Sequence, residues 1–185
     1  MPRGGTRSTG NGYFRPPLGE GKNAEAARIT VGGNVFVGGN TPVAYVTSVD
    51  CVVEANLIYR PGKWVIRILQ EKPTDRFVAC RDGVFGRNVI VWRRGDLSRF
   101  VNVGPNTQTK TFRFQRNLWY CADAPAASRP DLPTEEAGGV HGLDPEVQGA
   151  RTPSWNLQIG NADIAARFGP DQWRNRRRGE DRQRR

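Results

Sequence analysis

Apolar residues along this chain fall into short runs, and one pattern, apolar–x–x–Asn–x–apolar, returns four times. Its asparagines are Asn34, Asn56, Asn88 and Asn117, which lie 22, 32 and 29 residues apart. Recurrence at such a spacing is typical of one structural unit stacked on itself. The pattern therefore predicts a solenoid with long strand faces.

Most of the runs between Glu25 and Tyr120 are short, rich in β-branched and aromatic residues, and bounded by Gly, Pro, Asn or Asp. These features are typical of β-strands. A second kind of run follows the asparagine-bearing kind, at Tyr45, at Val65 to Leu69 and at Phe100 to Val103. Two or three short strands per repeat are what one coil of a parallel β-helix needs, so we expect an all-β fold of about four coils.

The repeated asparagines are expected at turns, where Asn tolerates left-handed backbone angles and its amide bonds nearby backbone groups. Stacked amides can also bond one another from coil to coil. The alternative all-β fold is an antiparallel sandwich, which favours tight Asn-Gly hairpin turns. The single Asn-Gly pair, Asn11-Gly12, lies outside the repeats.

Changes in composition divide the chain into four parts. We expect a loop or the edge of a truncated coil at 1–23 and the coils at 24–123. Several prolines follow, which predict an extended wrap over 124–170, with a short strand at 155–159 and a helical cap at 161–168. Residues 171–185 are expected to form a disordered arginine-rich tail.

Half of the net charge of +10 lies between Arg174 and Arg185, where seven arginines face two acids. A solvated tail is the expected state, and binding of nucleic acid or another polyanion through it is the alternative. Nowhere does the chain have the 18 consecutive apolar residues of a membrane span, so no membrane partner is expected. Its first residues also lack the apolar stretch of a secretory signal peptide.

Cysteine usage gives no sign of a metal centre. Cys51, Cys80 and Cys121 form no CxxC motif, and His141 is the single histidine. Without a CxxC pair or a second imidazole, no zinc site is expected, and the residues give no sign of another cofactor. The three cysteines are expected to be small buried apolar residues.

Strand alternation gives the candidate substrate-binding residues. In the run 111–115, the phenylalanines at 112 and 114 are expected to face the core, which leaves Arg113 facing outward. In Trp64 to Leu69, Trp64 and the two isoleucines are expected on one side and Arg67 on the other, with Glu71 continuing the Arg67 side. Lys63, Arg67, Glu71 and Arg113 could thus form a polar patch across coils. The alternative is a structural ladder of ion pairs.

No catalytic constellation stands out. The aspartates at 50, 75, 82 and 96 lie at expected turns, where aspartate is common for backbone reasons. No two carboxylates are placed to share a strand face. The aromatic residues Tyr45, Tyr59, Trp64, Trp92 and Trp119 are expected in a half-buried core, with stacking on sugar rings as the alternative.

Four pieces of the chain carry a family resemblance: GNVFVGGNTPVAYV, YRPGKWVIRILQE, NVGPNTQTKTFRFQRNLWYCADAP and SRPDLPTEEAGGVHGLDP. Between Glu25 and Pro145 the chain resembles the C-terminal coils of bacterial pectin-lyase-like proteins of the variety abundant in planctomycete-type genomes. The resemblance implies a right-handed parallel β-helix, an extracellular or periplasmic location, and a longer parent protein with more coils before this chain.

That resemblance also implies a carbohydrate-interacting module related to polysaccharide lyases and hydrolases. Lyases of this class use an Arg or Lys base, with Ca²⁺ or a basic residue neutralising a uronate. We expect this piece to lack a complete catalytic site. The alternative is a structural or adhesive surface protein. A coil missing its predecessor exposes a strand edge, so edge-to-edge self-association is also expected.

Overall fold

The computed structural model describes residues 22–71, 73–149 and 156–183, with the backbone alone for 176, 178 and 180–183. The strands, in chain order, are β1 (Ala26–Ala27), β2 (Thr30–Gly32), β3 (Val35–Val37), β4 (Val43–Val46), β5 (Ser48–Val49), β6 (Val52–Glu54), β7 (Leu57–Tyr59), β8 (Ile66–Leu69), β9 (Val84–Gly86), β10 (Val89–Trp92), β11 (Val101–Val103), β12 (Arg113–Gln115), β13 (Leu118–Cys121), β14 (Glu136–Ala137), β15 (Val140–His141), β16 (Val147–Gln148) and β17 (Gln158–Ile159). The helices are α1 (Ala162–Arg167) and α2 (Gly169–Gln183), with 3₁₀ turns at Thr109–Thr111 and Pro125–Ala127.

Three main parallel sheets build the molecule, and two two-stranded sheets, β1-β5 (parallel) and β16-β17 (antiparallel), are added to them. The first sheet has the order β2-β6-β9-β12-β14, the second β3-β7-β10-β13-β15 and the third β4-β8-β11. Each strand pairs in parallel with the equivalent strand one repeat later, as in the register of Phe36, Ile58, Ile90 and Trp119. The chain is therefore a parallel β-solenoid of about four turns, which confirms the predicted all-β fold.

The four repeated asparagines form a continuous ladder through the stack. The Nδ2 group of Asn34 donates to Oδ1 of Asn56 at 3.0 Å, Asn56 donates to Asn88 at 2.9 Å, and Asn88 donates to Asn117 at 3.0 Å. Each of these acceptor oxygens also binds the backbone N–H of the preceding asparagine. The predicted coil-to-coil bonding of amides is confirmed, and Asn56, Asn88 and Asn117 are fully buried.

The expectation that the asparagines themselves take left-handed angles is wrong. The residue before each asparagine does so instead, with φ between 53° and 73° at Gly33, Ala55, Arg87 and Arg116. This left-handed residue turns the chain from the first sheet into the second. The asparagine then points inward, where its amide can satisfy backbone groups that the corner leaves without a ladder partner.

Glu136 ends the asparagine ladder. Its Oε1 atom accepts from Nδ2 of Asn117 at 2.7 Å and from the Asn117 backbone N–H at 3.0 Å, while Oε2 accepts from Nε1 of Trp119 at 2.8 Å. In strand register, the position equivalent to Asn117 is Gly139. A Cβ atom there would lie 2.4 Å from Oε2 of Glu136, so glycine leaves the space that the carboxylate fills.

The core lies inside the coils, and the second sheet is buried on both faces. Its inward residues include Ile58, Ile90 and Trp119. Its outward residues, such as Leu57, Val89 and Leu118, pack under a C-terminal cover made by Leu157, Ile159, Ile164 and Phe168. A sheet covered on both faces needs nearly continuous apolar strands, which explains the run from Val89 to Trp92.

The three cysteines are buried free thiols, as predicted. Burial raises the pKa of the Cys80 thiol and that of Cys121. All three cysteines therefore serve as small core residues.

The C-terminal part of the chain differs from its expected organisation. The segment 124–170 was predicted to be a wrap outside the coils, but β14 and β15 pair with β12 and β13 and extend two of the sheets. The helical cap at 161–168 is present as α1, with the Asn161 side chain accepting from the Ile164 N–H at its start. The short strand at 155–159 is present as β17, although residues 151–155 lie outside the described residues.

Disorder after residue 170 was predicted, and the structure instead places α2 there. The helix is anchored at its start, where the Gly169 N–H donates to the Arg87 carbonyl oxygen at 2.9 Å. Its Trp173 ring lies against Gly32 and Gly33, so closely that a Cβ on either glycine would come within 2.7 Å of it. The helix was not expected because the segment is rich in arginine and has few apolar residues to bury. Packing of the Trp173 ring against the two glycines provides this apolar contact.

At one end of the stack, β2, β3 and β4 have no strand partner on their outer side among the described residues. Ile29, Val35 and Val37 expose between 36% and 40% of their surface there. Residues 1–21, which hold the predicted loop or edge, lie outside the described part of the chain. Self-association through this edge stays a prediction.

Tyr45 makes the stability of the solenoid sensitive to alkaline pH. Its buried hydroxyl donates to the Val84 carbonyl oxygen at 2.7 Å. Burial raises the pKa of Tyr45 well above its usual value, and the thiols of Cys51 and Cys80 raise it further. Because the folded pKa is raised, this contribution is fully present below the unfolded pKa of about 10 and is lost as pH rises above it.

We expect Tyr45→Phe to reduce the alkaline loss of unfolding free energy by up to about 1.4 kcal/mol per pH unit, the effect of one proton. Below pH 9 the variant should be less stable by about 1 kcal/mol, for the lost hydrogen bond. Urea unfolding at pH 8, 9, 10 and 11 measures both. Equal pH slopes for the two proteins would show that Tyr45 does not control the alkaline transition.

Candidate functional site

The predicted site residues lie on two different sheets. Arg67 lies within β8 in the third sheet, and Lys63 lies in the loop just before this strand. Arg113 begins β12 in the first sheet, where it is in register with Val84. Glu71 follows β8 and is exposed. The structure therefore joins Lys63 and Arg67 but places Arg113 on another face of the solenoid.

Trp64 connects the two cations on the third sheet. The Nζ atom of Lys63 lies 4.4 Å from the centre of the Trp64 ring system, and Cζ of Arg67 lies 4.9 Å from it. Both distances are within the range of cation–π attraction. We call Lys63, Trp64, Arg67 and Asn102 the Trp64 patch, because Asn102 is the cross-strand neighbour of Arg67.

Trp64 was expected on the core side with Ile66 and Ile68, and this expectation is wrong. Ile66 and Ile68 are fully buried, whereas Trp64 is only half-buried. The reason is that β8 begins at Ile66, so Trp64 belongs to the preceding loop, where its N–H donates to the Asn40 carbonyl oxygen. Alternation holds within the strand, and Arg67 faces outward between the isoleucines as predicted.

The Arg67 guanidinium packs over the Trp64 ring and has an N–H group without a hydrogen-bond partner. Its Nε atom is buried without a hydrogen-bond partner. Neither Arg67 nor Lys63 forms an ion pair with another described residue. The exposed N–H groups of a guanidinium match a carboxylate in a two-point contact, so this pair of cations is suited to an anionic ligand.

Other charges on the solenoid are paired from coil to coil. Arg87 Nη1 lies 2.9 Å from Glu54 Oε2, and Arg60 forms a two-point contact with Asp96. Burial raises the pKa of Asp96, but hydrogen bonds from the Arg60 side chain and the Arg93 backbone, together with the charges of both arginines, hold the pKa below its ordinary value. These are structural ion pairs between coils, and they include none of the four residues of the predicted patch.

The remaining aromatic residues serve the core. Tyr45, Trp92 and Trp119 are buried, and the Trp92 and Trp119 rings meet edge to face with centres 6.4 Å apart. Tyr59 is half-buried and packs against the C-terminal cover. Trp64 is thus the one aromatic residue of the predicted set that lies beside unpaired cations in the described part of the chain.

Glu136 and His141 lie beside a cavity of about 250 Å³, an arrangement that sequence reasoning missed. His141 Nε2 is 3.9 Å from Glu136 Oε2. Both carboxylate oxygens already accept hydrogen bonds from Asn117 and Trp119, so Glu136 is engaged as the end of the ladder. A fifth copy of the repeat, with Gly139 at the asparagine position, is the sequence signal that could have revealed it.

Within the described residues, no group of three or more His, Cys, Asp or Glu side chains is placed to hold a metal ion. No described helix has the length and apolar character required to cross a membrane.

Comparisons with protein-family models, with curated proteins and with solved structures found no match to this chain. What defines its class is therefore the fold itself: a parallel β-solenoid of about four turns.

Proposed function

We propose that this chain is a non-catalytic, carbohydrate-interacting β-solenoid module that binds an acidic polysaccharide at the Trp64 patch. The observation that carries the proposal is the half-buried Trp64 ring with Lys63 and Arg67 beside it and no described acid paired to either cation. The pectin-lyase-like resemblance of the sequence supports the same class of ligand.

The patch supplies the contacts that a uronate chain needs. An indole ring offers an apolar face to the C–H groups of a sugar, and its exposed part remains available on the half-buried Trp64. Arg67 can bind a carboxylate at two points, while Lys63 adds a point charge. Asn102, across the sheet from Arg67, offers donors and an acceptor to hydroxyl groups.

Catalysis is not part of this proposal, because Lys63 and Arg67, the two groups that could serve as a lyase base, are assigned here to binding a carboxylate as cations. The cross-strand neighbour of Arg67 is Asn102, whose amide is not an acid. The acid nearest to the patch in sequence, Glu71, lies beyond the end of β8. Binding in the extracellular or periplasmic space, as the resemblance implies, needs only the charge and aromatic surface.

We expect Trp64→Ala to weaken binding of polygalacturonate at least about tenfold in Kd, and Arg67→Gln by a similar factor. Arg113→Gln is the matched control, because it removes the same charge from another sheet. Isothermal titration at low and at physiological salt measures all four proteins, with dextran as the neutral glycan. Circular dichroism checks that each variant is folded.

Equal affinity for the wild-type, Trp64 and Arg113 variants would refute the patch as the binding site. Absence of binding by the wild-type protein would favour the structural rod, which the paired charges at Arg87 and Arg60 also suit. The same titration mixture with Ca²⁺ should show no rise in the ultraviolet absorbance of unsaturated uronate product. A rise would contradict the non-catalytic assignment.

A further inference from the structure

The corners between the first and second sheets form a column of left-handed residues, one per coil. From the first described coil to the last they are Gly33, Ala55, Arg87, Arg116 and Gly138. Glycine adopts this conformation without penalty, and the column uses it at both ends. Arg87 and Arg116, with φ of 53° each, accept a conformational penalty that glycine would avoid.

Strained residues of this kind often mark a functional site. The two arginines lie one coil apart, since the Arg87 N–H donates to the carbonyl oxygen of Gln115, the residue before Arg116. Neighbouring strands are about 4.8 Å apart, so the two side chains leave the corner next to each other. Gly138 follows in the next coil and leaves the space beside Arg116 open.

Helix α1 brings a third arginine to this corner. Arg87, Arg116 and Arg167 line a pocket of about 360 Å³, together with Gly138, Phe168 and Gln172. Cζ of Arg167 lies 5.2 Å from the centre of the Phe168 ring, which positions its guanidinium. The volume lies within the range of small-molecule sites, about 300–1,000 Å³.

A described acid balances one of the three arginine charges in the pocket and leaves two unbalanced. Glu54 pairs with Arg87 at 2.9 Å, while Arg116 and Arg167 form no ion pair with any described residue. Oε1 of Gln172 is buried and has no hydrogen-bond partner. An amide placed this way can offer either its oxygen or, after a flip, its N–H₂ group to a ligand.

We propose that this corner pocket binds a tetrahedral oxyanion, phosphate or sulfate, carried by a small ligand. The guanidinium groups of Arg87 and Arg116, on adjacent coils, can each donate two N–H bonds to such an anion. Arg167 at the end of α1 can donate to the anion from the opposite side of the pocket. The site is separate from the Trp64 patch, which lies on the third sheet, and the inference does not depend on the proposed glycan function.

The test uses Arg116→Gly in the full chain. This variant takes the residue that the same column holds at Gly33 and Gly138, so it should fold with the left-handed angle relieved. Arg28→Gly is a closely matched control, because Arg28 is also an exposed arginine with φ of 54°, at a different corner of the coils. Arg167→Gln removes the third cation without touching the column.

Inorganic phosphate, inorganic sulfate and glucose 6-phosphate serve as probes at constant ionic strength. We expect each probe that binds to raise the melting temperature of the wild-type protein and of the Arg28→Gly variant. In the Arg116 and Arg167 variants, Kd from isothermal titration should rise at least about tenfold. The comparison of phosphate with sulfate shows which oxyanion is preferred, and glucose 6-phosphate shows whether a sugar carrier adds affinity.

Equal responses of the Arg116, Arg167 and Arg28 variants would overturn the proposal, as would the absence of any response in the wild-type protein. Trp64→Ala should leave the oxyanion response unchanged. If Trp64→Ala removed the oxyanion response together with polygalacturonate binding, the corner pocket would not be an independent site.

Discussion

Replacing Asn88 by alanine is expected to lower the free energy of unfolding by about 3–5 kcal/mol, because several buried groups lose partners at once. The Asn88 side chain accepts from the backbone and Nδ2 groups of Asn56, and it donates to the carbonyl oxygen of Val53 and to Oδ1 of Asn117. These contacts are shielded from bulk water, since Asn88 is fully buried.

Asn34→Ala is the matched control for this prediction. Asn34 is the exposed end of the ladder and donates to Asn56 without accepting from another described asparagine. Its loss should therefore cost about 1 kcal/mol or less, as for an ordinary exposed hydrogen bond. Urea unfolding followed by tryptophan fluorescence measures both variants, and equal losses at Asn34 and Asn88 would contradict a ladder that is strongest inside the stack.

Glu136→Gln is expected to destabilise the protein by about 1–3 kcal/mol although the two side chains have the same shape. One side-chain oxygen can still accept from Asn117. The amide N–H₂ group, however, would face the Trp119 Nε1–H donor, which now binds Glu136 Oε2 at 2.8 Å. Two donors facing each other in a nearly buried site leave both unsatisfied.

The neighbouring Glu135 provides the control, because it is exposed and Glu135→Gln should change stability by less than about 0.5 kcal/mol. Gly139→Ala should reproduce the loss at Glu136, since its new Cβ would lie 2.4 Å from Oε2. Thermal unfolding of the three variants tests this. Stability of Glu136→Gln equal to that of Glu135→Gln would mean that the charge and orientation of Glu136 do not matter.

Both predictions concern features that the sequence revealed to different degrees. The asparagine spacing was sufficient to predict stacked coils, and the ladder confirms it. The corner within the run from Val84 to Trp92 was predicted at Asn88, whereas the residue with the left-handed angle is Arg87, directly before it. Arg87 and Asn88 are both polar residues at the break between two apolar strands, so hydrophobic periodicity does not show which of them takes the left-handed angle.

Ladder termination was missed for a similar reason. Glu136 reaches the asparagine position from the preceding strand, so the repeat keeps its geometry while its signature residue is replaced. A pattern search for asparagine stops at Asn117, and the fifth strands of two sheets were assigned to a wrap. The space left by Gly139 is visible only when both residues are placed in three dimensions.

For the candidate site, alternation predicted which way Arg67 faces within its strand but not which sheets carry the four residues. Arg67 lies on β8 in the third sheet and Arg113 on β12 in the first. The repeats are 22, 32 and 29 residues long. Because loops of different length absorb the difference, distance along the sequence does not fix the face that a residue occupies.

The contact of Trp173 with Gly32 and Gly33 bears on the order in which the molecule is completed. During synthesis, each coil can stack on its predecessor as soon as it emerges, because the pairing partners are neighbours in the repeat. Gly32 and Gly33 of the first described coil cannot make their contact with Trp173 until this residue, 141 positions after Gly32, has been synthesised. The two ends of a solenoid usually unfold locally and independently of each other. Here the contact of α2 with the first described coil couples them, so that detachment of α2 exposes Gly32 and Gly33.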